Sequence, residues 1–173
     1  MKQLLIVVCI LALAIPAMAG RSLEGSYVEL VSPLDPMPNM TYTFTFYVWN
    51  NSFDVEWVAD VWLTFPDGYV LDAMSMAYDN PNPTPSLFVW DMLVDGQTAQ
   101  WNDGDEGYGE LYDQVGTNIY IDVTTPAEIT GEIHWELFGD IYGAEPHYVD
   151  GNILLGYTPV EKSTWSGIKA MYR

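Results

Sequence analysis

The sequence predicts an all-β protein, built as an antiparallel sandwich of two sheets, from three observations. Apolar and polar residues alternate with a period of two over several segments of seven to eleven residues. Turn-forming Asn, Asp, Gly and Pro residues separate these segments. No segment of the body has the spacing of an amphipathic helix.

The two clearest strand patterns are MTYTFTFYVW (Met40–Trp49) and VEWVADVWLTF (Val55–Phe65). In the first, alternate positions carry large apolar side chains on one face and mostly threonines on the other. In the second, the alternation predicts an outward face that contains Glu56, Asp60 and Thr64. The predicted inward face of this second segment consists of Val55, Trp57, Ala59, Val61, Leu63 and Phe65.

Three later segments follow the same rule: TNIYIDV (117–123), ITGEIHWELF (129–138) and VDGNILLGY (149–157). Trp135 has the parity of Ile133 and Leu137, which predicts that it lies in the core. The proline-rich stretch 79–85 cannot be a central strand, because proline donates no ladder hydrogen bond, and we expect a loop that crosses between the sheets. Several strands with short turns over about 140 residues predict one immunoglobulin-like domain.

The chain begins with the features of a secretory signal peptide. Lys2 precedes a run of twelve apolar residues, Leu4 to Ile15, and Ala17-Met18-Ala19 supplies small residues before Gly20. Twelve residues span only about 18 Å as a helix, too little for a bilayer of roughly 30 Å. We expect removal of residues 1–19, a β-sandwich domain over 20–158 and a C-terminal tail over 159–173. The predicted location is therefore extracellular or at the cell surface, without membrane insertion after signal removal.

The charge of the chain is strongly negative and unevenly distributed. All 24 acidic residues lie between Arg21 and Lys162, a span that contains no Lys or Arg. After loss of Lys2, four basic residues remain against 24 acidic ones, a net charge of −20. Such a charge argues against nucleic acid as a partner. An apolar content of 49% excludes a disordered chain.

The densest acidic segment, WNDGDEGYGE (101–110), is a candidate calcium site. It carries Asp103, Asp105, Glu106 and Glu110 among three glycines. Ca²⁺ prefers several carboxylate oxygens on a flexible loop, although the spacing here is not that of an EF-hand. Ca²⁺ is thus a candidate cofactor. The alternative is a solvated turn without a metal.

A second candidate metal site is the segment EIHWE. Glu132, His134 and Glu136 alternate onto one face of a predicted strand, where they would present three ligands to a transition metal. The alternative interpretation is the solvated face of a sheet.

Aromatic residues give the candidate ligand-binding positions. Trp49 and Trp62 have the polar parity of their strands, which favours exposed rings that stack on sugars; a strand buried on both faces is the alternative. Sequence motifs of catalysis, such as Gly-x-Ser-x-Gly, His-Glu-x-x-His or a phosphate-binding glycine loop, are absent. The sequence therefore predicts that the protein is not an enzyme.

The body, from YTFTFYVWNNSFDVEWVADVWLTFPDGYVL through IHWELFGDIYGAEPHYVDGNILL, resembles immunoglobulin-like modules of exported bacterial proteins from Fibrobacteres–Chlorobi–Bacteroidetes-like lineages. The terminal TWSGIKAMYR is similar to short C-terminal sorting tags of such proteins. The resemblance implies a non-catalytic module with a structural or adhesive role toward a cell-surface or extracellular protein or glycan. The alternative is a carbohydrate-binding module that uses Trp49, Trp62 and carboxylates.

Overall fold

The computed structural model describes residues 22–53, 55–81, 89–104, 108–141 and 145–156. The predicted signal peptide and the predicted tail lie outside these residues. In the described residues the chain forms nine strands and no helix. The strands are β1 (Tyr27–Ser32), β2 (Thr41–Trp49), β3 (Val58–Thr64), β4 (Val70–Tyr78), β5 (Trp90–Asp95), β6 (Thr98–Asp103), β7 (Gly116–Thr124), β8 (Glu132–Gly139) and β9 (Tyr148–Leu154).

The strands form two antiparallel sheets, in the orders β1-β2-β7-β4 and β5-β6-β3-β8-β9. Strands β1, β2, β7 and β4 take the positions A, B, E and D of an immunoglobulin sandwich, and β3, β8 and β9 take C, F and G. The predicted class, an all-β immunoglobulin-like sandwich, is confirmed. The hairpin β5–β6 extends the second sheet beyond β3, and β4 and β5 belong to different sheets, as expected for a crossing between them. Residues 82–85 of the proline-rich stretch lie outside the described residues.

The core lies between the sheets and contains the predicted inward face of β2. Phe44, Phe46 and Val48 are fully buried, and Phe65 packs its edge against Phe44 and Phe46 at ring centroid distances of 5.8 and 6.1 Å. Trp135 is also buried, which confirms its predicted place in the core. These contacts join the two sheets by burial of apolar surface.

The predicted faces are wrong at the start of β3, where a β-bulge shifts the register. Val58 pairs with Gly139 and Asp60 pairs with Phe138. An advance of two residues along β3 therefore corresponds to an advance of only one residue along β8. The extra residue, Ala59, is buried beside the buried Val58. A bulge reverses the side-chain parity of every residue before it.

Three predicted orientations change as a result. Glu56, expected on the outside, has 0% of its surface exposed. Val55, expected in the core, is exposed, and Trp57 is only half-buried. The bulge therefore places a carboxylate, and not an apolar side chain, inside this end of the sandwich.

The inter-sheet aromatic cluster generates a stability prediction. Phe65→Ala should lower the free energy of unfolding by about 3–5 kcal/mol, because it removes a buried ring and leaves a cavity. The matched control is Phe53→Ala, whose ring is 66% exposed, with an expected change within about 0.5 kcal/mol. Urea unfolding measures both values. Equal losses in the two variants would contradict the assigned core.

Candidate functional site

A concave site lies at one end of the sandwich, which we call the loop end. It is formed by the described parts of the loops β2–β3, β6–β7 and β8–β9. Backbone hydrogen bonds join these loops: the N–H groups of Glu110 and Leu111 donate to the carbonyl of Val58, and Asp140 N donates to the carbonyl of Trp57. Asn50, itself fully buried, donates from Nδ2 to the carbonyls of Glu56 and Leu111 at 3.0 and 2.9 Å.

A cleft of about 350 Å³ opens at the loop end, lined by Val55, Trp57, Tyr108 and Asp140. We call it the loop-end cleft. Trp57 packs on Tyr112 with ring centroids 4.1 Å apart and meets Tyr108 edge to face at 5.6 Å. This volume lies at the lower end of the range for small-ligand pockets, so the cleft suits one small group or side chain.

Glycine permits the close approach of the β6–β7 loop to Trp57. A Cβ atom at Gly109 would lie 2.7 Å from the carbonyl oxygen of Trp57 and 2.9 Å from its Cβ. The N–H of Gly109 also donates to Oδ2 of Asp140 at 3.3 Å. Any larger residue at this position would push the loop away and widen the cleft.

At the same end of the sandwich, the buried Glu56 pairs with His147 from the β8–β9 loop. Oε1 of Glu56 lies 2.9 Å from Nδ1 of His147, and the N–H of Ile141 donates to the same oxygen at 3.3 Å. Gly139 leaves room for this carboxylate, because a Cβ atom there would overlap Glu56 Oε1. A buried carboxylate is costly unless it is hydrogen-bonded, and these contacts offset that cost.

The same pair perturbs the pKa of His147. The hydrogen bond to Glu56 raises the pKa of His147, and the negative charges of Glu56, Glu145 and Asp140 raise it further, while burial opposes the shift. The second ring nitrogen, Nε2, lies 3.7 Å from a carboxylate oxygen of Glu145. Both nitrogens therefore face carboxylates, an arrangement that favours the protonated ring.

Of the four predicted calcium residues, the structure describes Asp103 and Glu110. Asp105 and Glu106 lie outside the described residues. Glu110 is buried, and its Oε2 accepts a hydrogen bond from Val89 N at 2.6 Å, so it does not belong to a solvated turn. The backbone N–H of Asp103 donates to Oδ1 of Asp60 at 2.8 Å. Calcium binding at this segment stays a prediction.

In the residues that the structure describes, no three His, Cys, Asp or Glu side chains form a metal-binding group. Within the second predicted metal segment, His134 Nδ1 lies 3.0 Å from Asn152 Oδ1, and Glu136 accepts a hydrogen bond from Tyr148 at 3.0 Å. These side chains use neighbours on β9, which agrees with the solvated-face interpretation. Among the same residues there is no helix with the length and hydrophobicity of a membrane span.

The two predicted sugar-stacking residues lie on different sheets. Trp49 is in β2 of the first sheet and Trp62 is in β3 of the second. Both have the parity opposite to the core-facing residues of their strands and are half-buried. They therefore belong to opposite outer faces of the sandwich and cannot form one platform.

Each of these tryptophans instead belongs to its own outer-face row of three rings. We call Tyr27, Tyr47 and Trp49 the Tyr47 row, with neighbouring centroids 6.5 Å apart at both steps. The Phe138 row consists of Trp62, Phe138 and Tyr148, with centroid distances of 4.7 and 5.1 Å.

The Phe138 row also carries polar anchors. Trp62 Nε1 donates a hydrogen bond to Asn102 Oδ1 at 2.8 Å. Burial raises the pKa of Tyr148 to about 12, and the hydrogen bond from Tyr148 to Glu136 contributes to this shift. The Tyr148 hydroxyl thus stays protonated at neutral pH. Sequence reasoning missed Tyr27, Phe138 and Tyr148 as row members, because cross-strand register brings these rings together and alternation within one strand does not reveal it.

The fold and the loop-end cleft define a class, an immunoglobulin-like β-sandwich with a small aromatic and acidic cleft at the loop end. No family model matches the chain, and no curated protein matches it.

Solved structures give distant likenesses. One is an uncharacterized protein from Nocardia farcinica with an immunoglobulin-like fold, at 13% identity and a TM-score of 0.45, over 76% of this chain and 98% of that one. Another is AvmM, which catalyses macrocyclization in alchivemycin A biosynthesis. It is 12% identical with a TM-score of 0.43, over 81% of this chain and 93% of that one. A third is a cohesin–dockerin complex from Clostridium thermocellum, at 11% identity and a TM-score of 0.37, over 73% of this chain and 97% of that one. At these values none of the likenesses carries a functional argument.

The Glu56–His147 pair generates a pH prediction. Because the folded-state pKa of His147 is raised, its stabilisation is fully present below the unfolded value of about 6.5 and is lost as pH rises through the folded value. The stability difference between wild type and His147→Gln should therefore shrink from about pH 6 upward.

Thermal or urea unfolding at a series of pH values measures this difference. His134→Gln, on the outer face of β8, is the control for loss of an imidazole. A wild-type advantage over His147→Gln that grows with rising pH would contradict the assigned pair.

Proposed function

We propose that this protein is exported to the cell surface or the extracellular space, where it binds a partner in a structural or adhesive role without catalysis. The signal-peptide pattern of residues 1–19 and the sorting-like tail of residues 159–173 support export. The resemblance of the body to immunoglobulin-like modules of exported bacterial proteins supports the same role. The net negative charge suits solubility outside the cell.

The observation that carries the proposal is the position of the loop-end cleft. In an immunoglobulin sandwich the B–C and F–G loops lie at the same end, and in variable domains these loops bind the ligand. The corresponding loops here are β2–β3 and β8–β9, which supply Trp57 and Asp140 to the cleft. The likeness to variable domains is one of loop position. The aromatic rings and the carboxylate that line the cleft are the groups that can contact a ligand.

The test combines location with adhesion. We expect the wild-type chain in the surface or extracellular fraction of its own bacterium, with Gly20 as its N-terminus. Beads coated with the purified protein should adhere to intact cells of that bacterium. The double variant Trp57→Ala/Tyr108→Ala should reduce adhesion by about tenfold, because aromatic residues dominate the energy of binding sites.

The control for this experiment is Met74→Ala, since Met74 is 93% exposed on β4, away from the loop end. Circular dichroism and melting temperature establish that each variant is folded. Retention of the chain in the cytosol would overturn the export proposal. Adhesion that is equal for folded wild-type and cleft-variant beads would overturn the assignment of the binding role to the loop end.

The two outer-face rows favour a second candidate, carbohydrate binding. Aromatic rings in a row on a flat sheet offer successive stacking faces for sugar rings, and Glu136 beside the Phe138 row offers acceptors for hydroxyl groups. The rows lie on opposite faces, so they would bind two glycan chains independently.

Binding to an array of polysaccharides tests this candidate. Trp49→Ala should weaken binding by the Tyr47 row, and Trp62→Ala should weaken binding by the Phe138 row, each by about fivefold or more. If a glycan binds, the double variant should be weakened at both rows. Binding that both single variants and the double variant retain would exclude these rows as the sugar site.

A further inference from the structure

The loop-end cleft has the shape of an aromatic corner. Tyr112 supports the ring of Trp57 from one side, and Tyr108, which is 59% exposed, closes the corner edge to face. The faces of Trp and Tyr rings carry the negative end of the ring quadrupole. Such a corner attracts a cation more strongly than one ring does.

The surroundings of the corner are acidic. Asp140 lines the cleft, and the exposed Glu145 belongs to the same β8–β9 loop. Asp113 lies beside the rim, where its Oδ2 accepts a hydrogen bond from Val55 N at 2.8 Å. The sequence from residue 22 to residue 161 contains no Lys or Arg, so no side chain of the described body other than histidine supplies a competing positive charge.

The rim of the cleft is held in an unusual backbone conformation. Val55 and Ile141 have φ angles of 61° and 63°, and both are β-branched residues, for which the left-handed region is strongly disfavoured. Their N–H groups are fixed by the carboxylates of Asp113 and Glu56. Strain of this kind collects at ligand clamps, and here it leaves Val55 exposed in the lining of the cleft and Ile141 exposed next to Asp140 in the chain.

We infer that the loop-end cleft binds a lysine or arginine side chain of a protein partner. The aliphatic stem of that side chain packs against Val55, the charged group lies over Trp57 and Tyr108, and Asp140 accepts its N–H donors. A neutral sugar would also stack in the corner, but it has no positive charge for the carboxylates to attract. This inference deepens the proposed binding role and rests on it.

The experiment uses the protein purified from its exporting cells and N-acetyl-lysine N-methylamide as the probe. The indole N–H signal of Trp57 is identified in a ¹⁵N spectrum by its loss in Trp57→Phe, since the chain has seven tryptophans. We expect the probe, and its arginine counterpart, to shift this signal. The uncharged norleucine amide and methyl β-glucoside should shift it at least tenfold less at equal concentration.

The variants separate charge from stacking. Asp140→Asn should weaken lysine binding about tenfold, whereas Asp67→Asn, which removes the same charge from the exposed β3–β4 turn, should change it less than about twofold. Tyr108→Phe keeps the ring and should retain binding, and Tyr108→Leu should weaken it about fivefold. Affinity should fall as salt rises from about 0.05 to about 0.5 M.

Two outcomes would overturn the inference. One is a Trp57 shift that methyl β-glucoside or norleucine amide produces as strongly as lysine does, which would make the cleft a sugar or apolar site. The other is no shift with either cationic probe. In a further case, the cleft variant loses cell adhesion while the wild-type protein shows no lysine binding. That combination would leave the proposed function intact and would reject only the ligand class.

Discussion

One extra residue in β3 determines the character of the loop end. The bulge at Ala59 turns Glu56 into the interior, and the buried carboxylate then requires partners. His147 and the N–H of Ile141 supply them, so the β8–β9 loop is held against the start of β3. Without the bulge an apolar residue would occupy that position, and the contact between Glu56 and His147 would be lost.

An acidic body without lysine or arginine must stabilise its buried carboxylates by other means. Besides the N–H of Ile141 on Glu56, the backbone N–H of Val89 donates to the buried Glu110, and that of Asp103 donates to the half-buried Asp60. Burial raises the pKa of Asp60, and the negative charge of Asp103 adds to the shift, while the N–H of Asp103 opposes it. Hydrogen bonds from the backbone thus offset part of the cost of removing these carboxylates from water.

The sandwich separates three surfaces that differ in chemistry. The two outer-face rows are flat and aromatic, whereas the loop-end cleft is concave and acidic. The rows sit on strands of regular sheets, and the cleft is built from loops joined by backbone hydrogen bonds. Because a packed core lies between the sheets, a ligand on one surface has no direct contact with a ligand on another.

The sequence by itself determined the fold class, the inward face of β2 and the burial of Trp135, because alternation along a single strand is a local pattern. The tertiary structure alone decided the parity at the start of β3 and the pairing of Glu56 with His147, which lie 91 residues apart. A bulge arises from the register between two strands, and a pair of this kind arises from loops that meet only after the sheets have packed. Neither leaves a period in the sequence, and for this reason Glu56 was expected outside and is found inside.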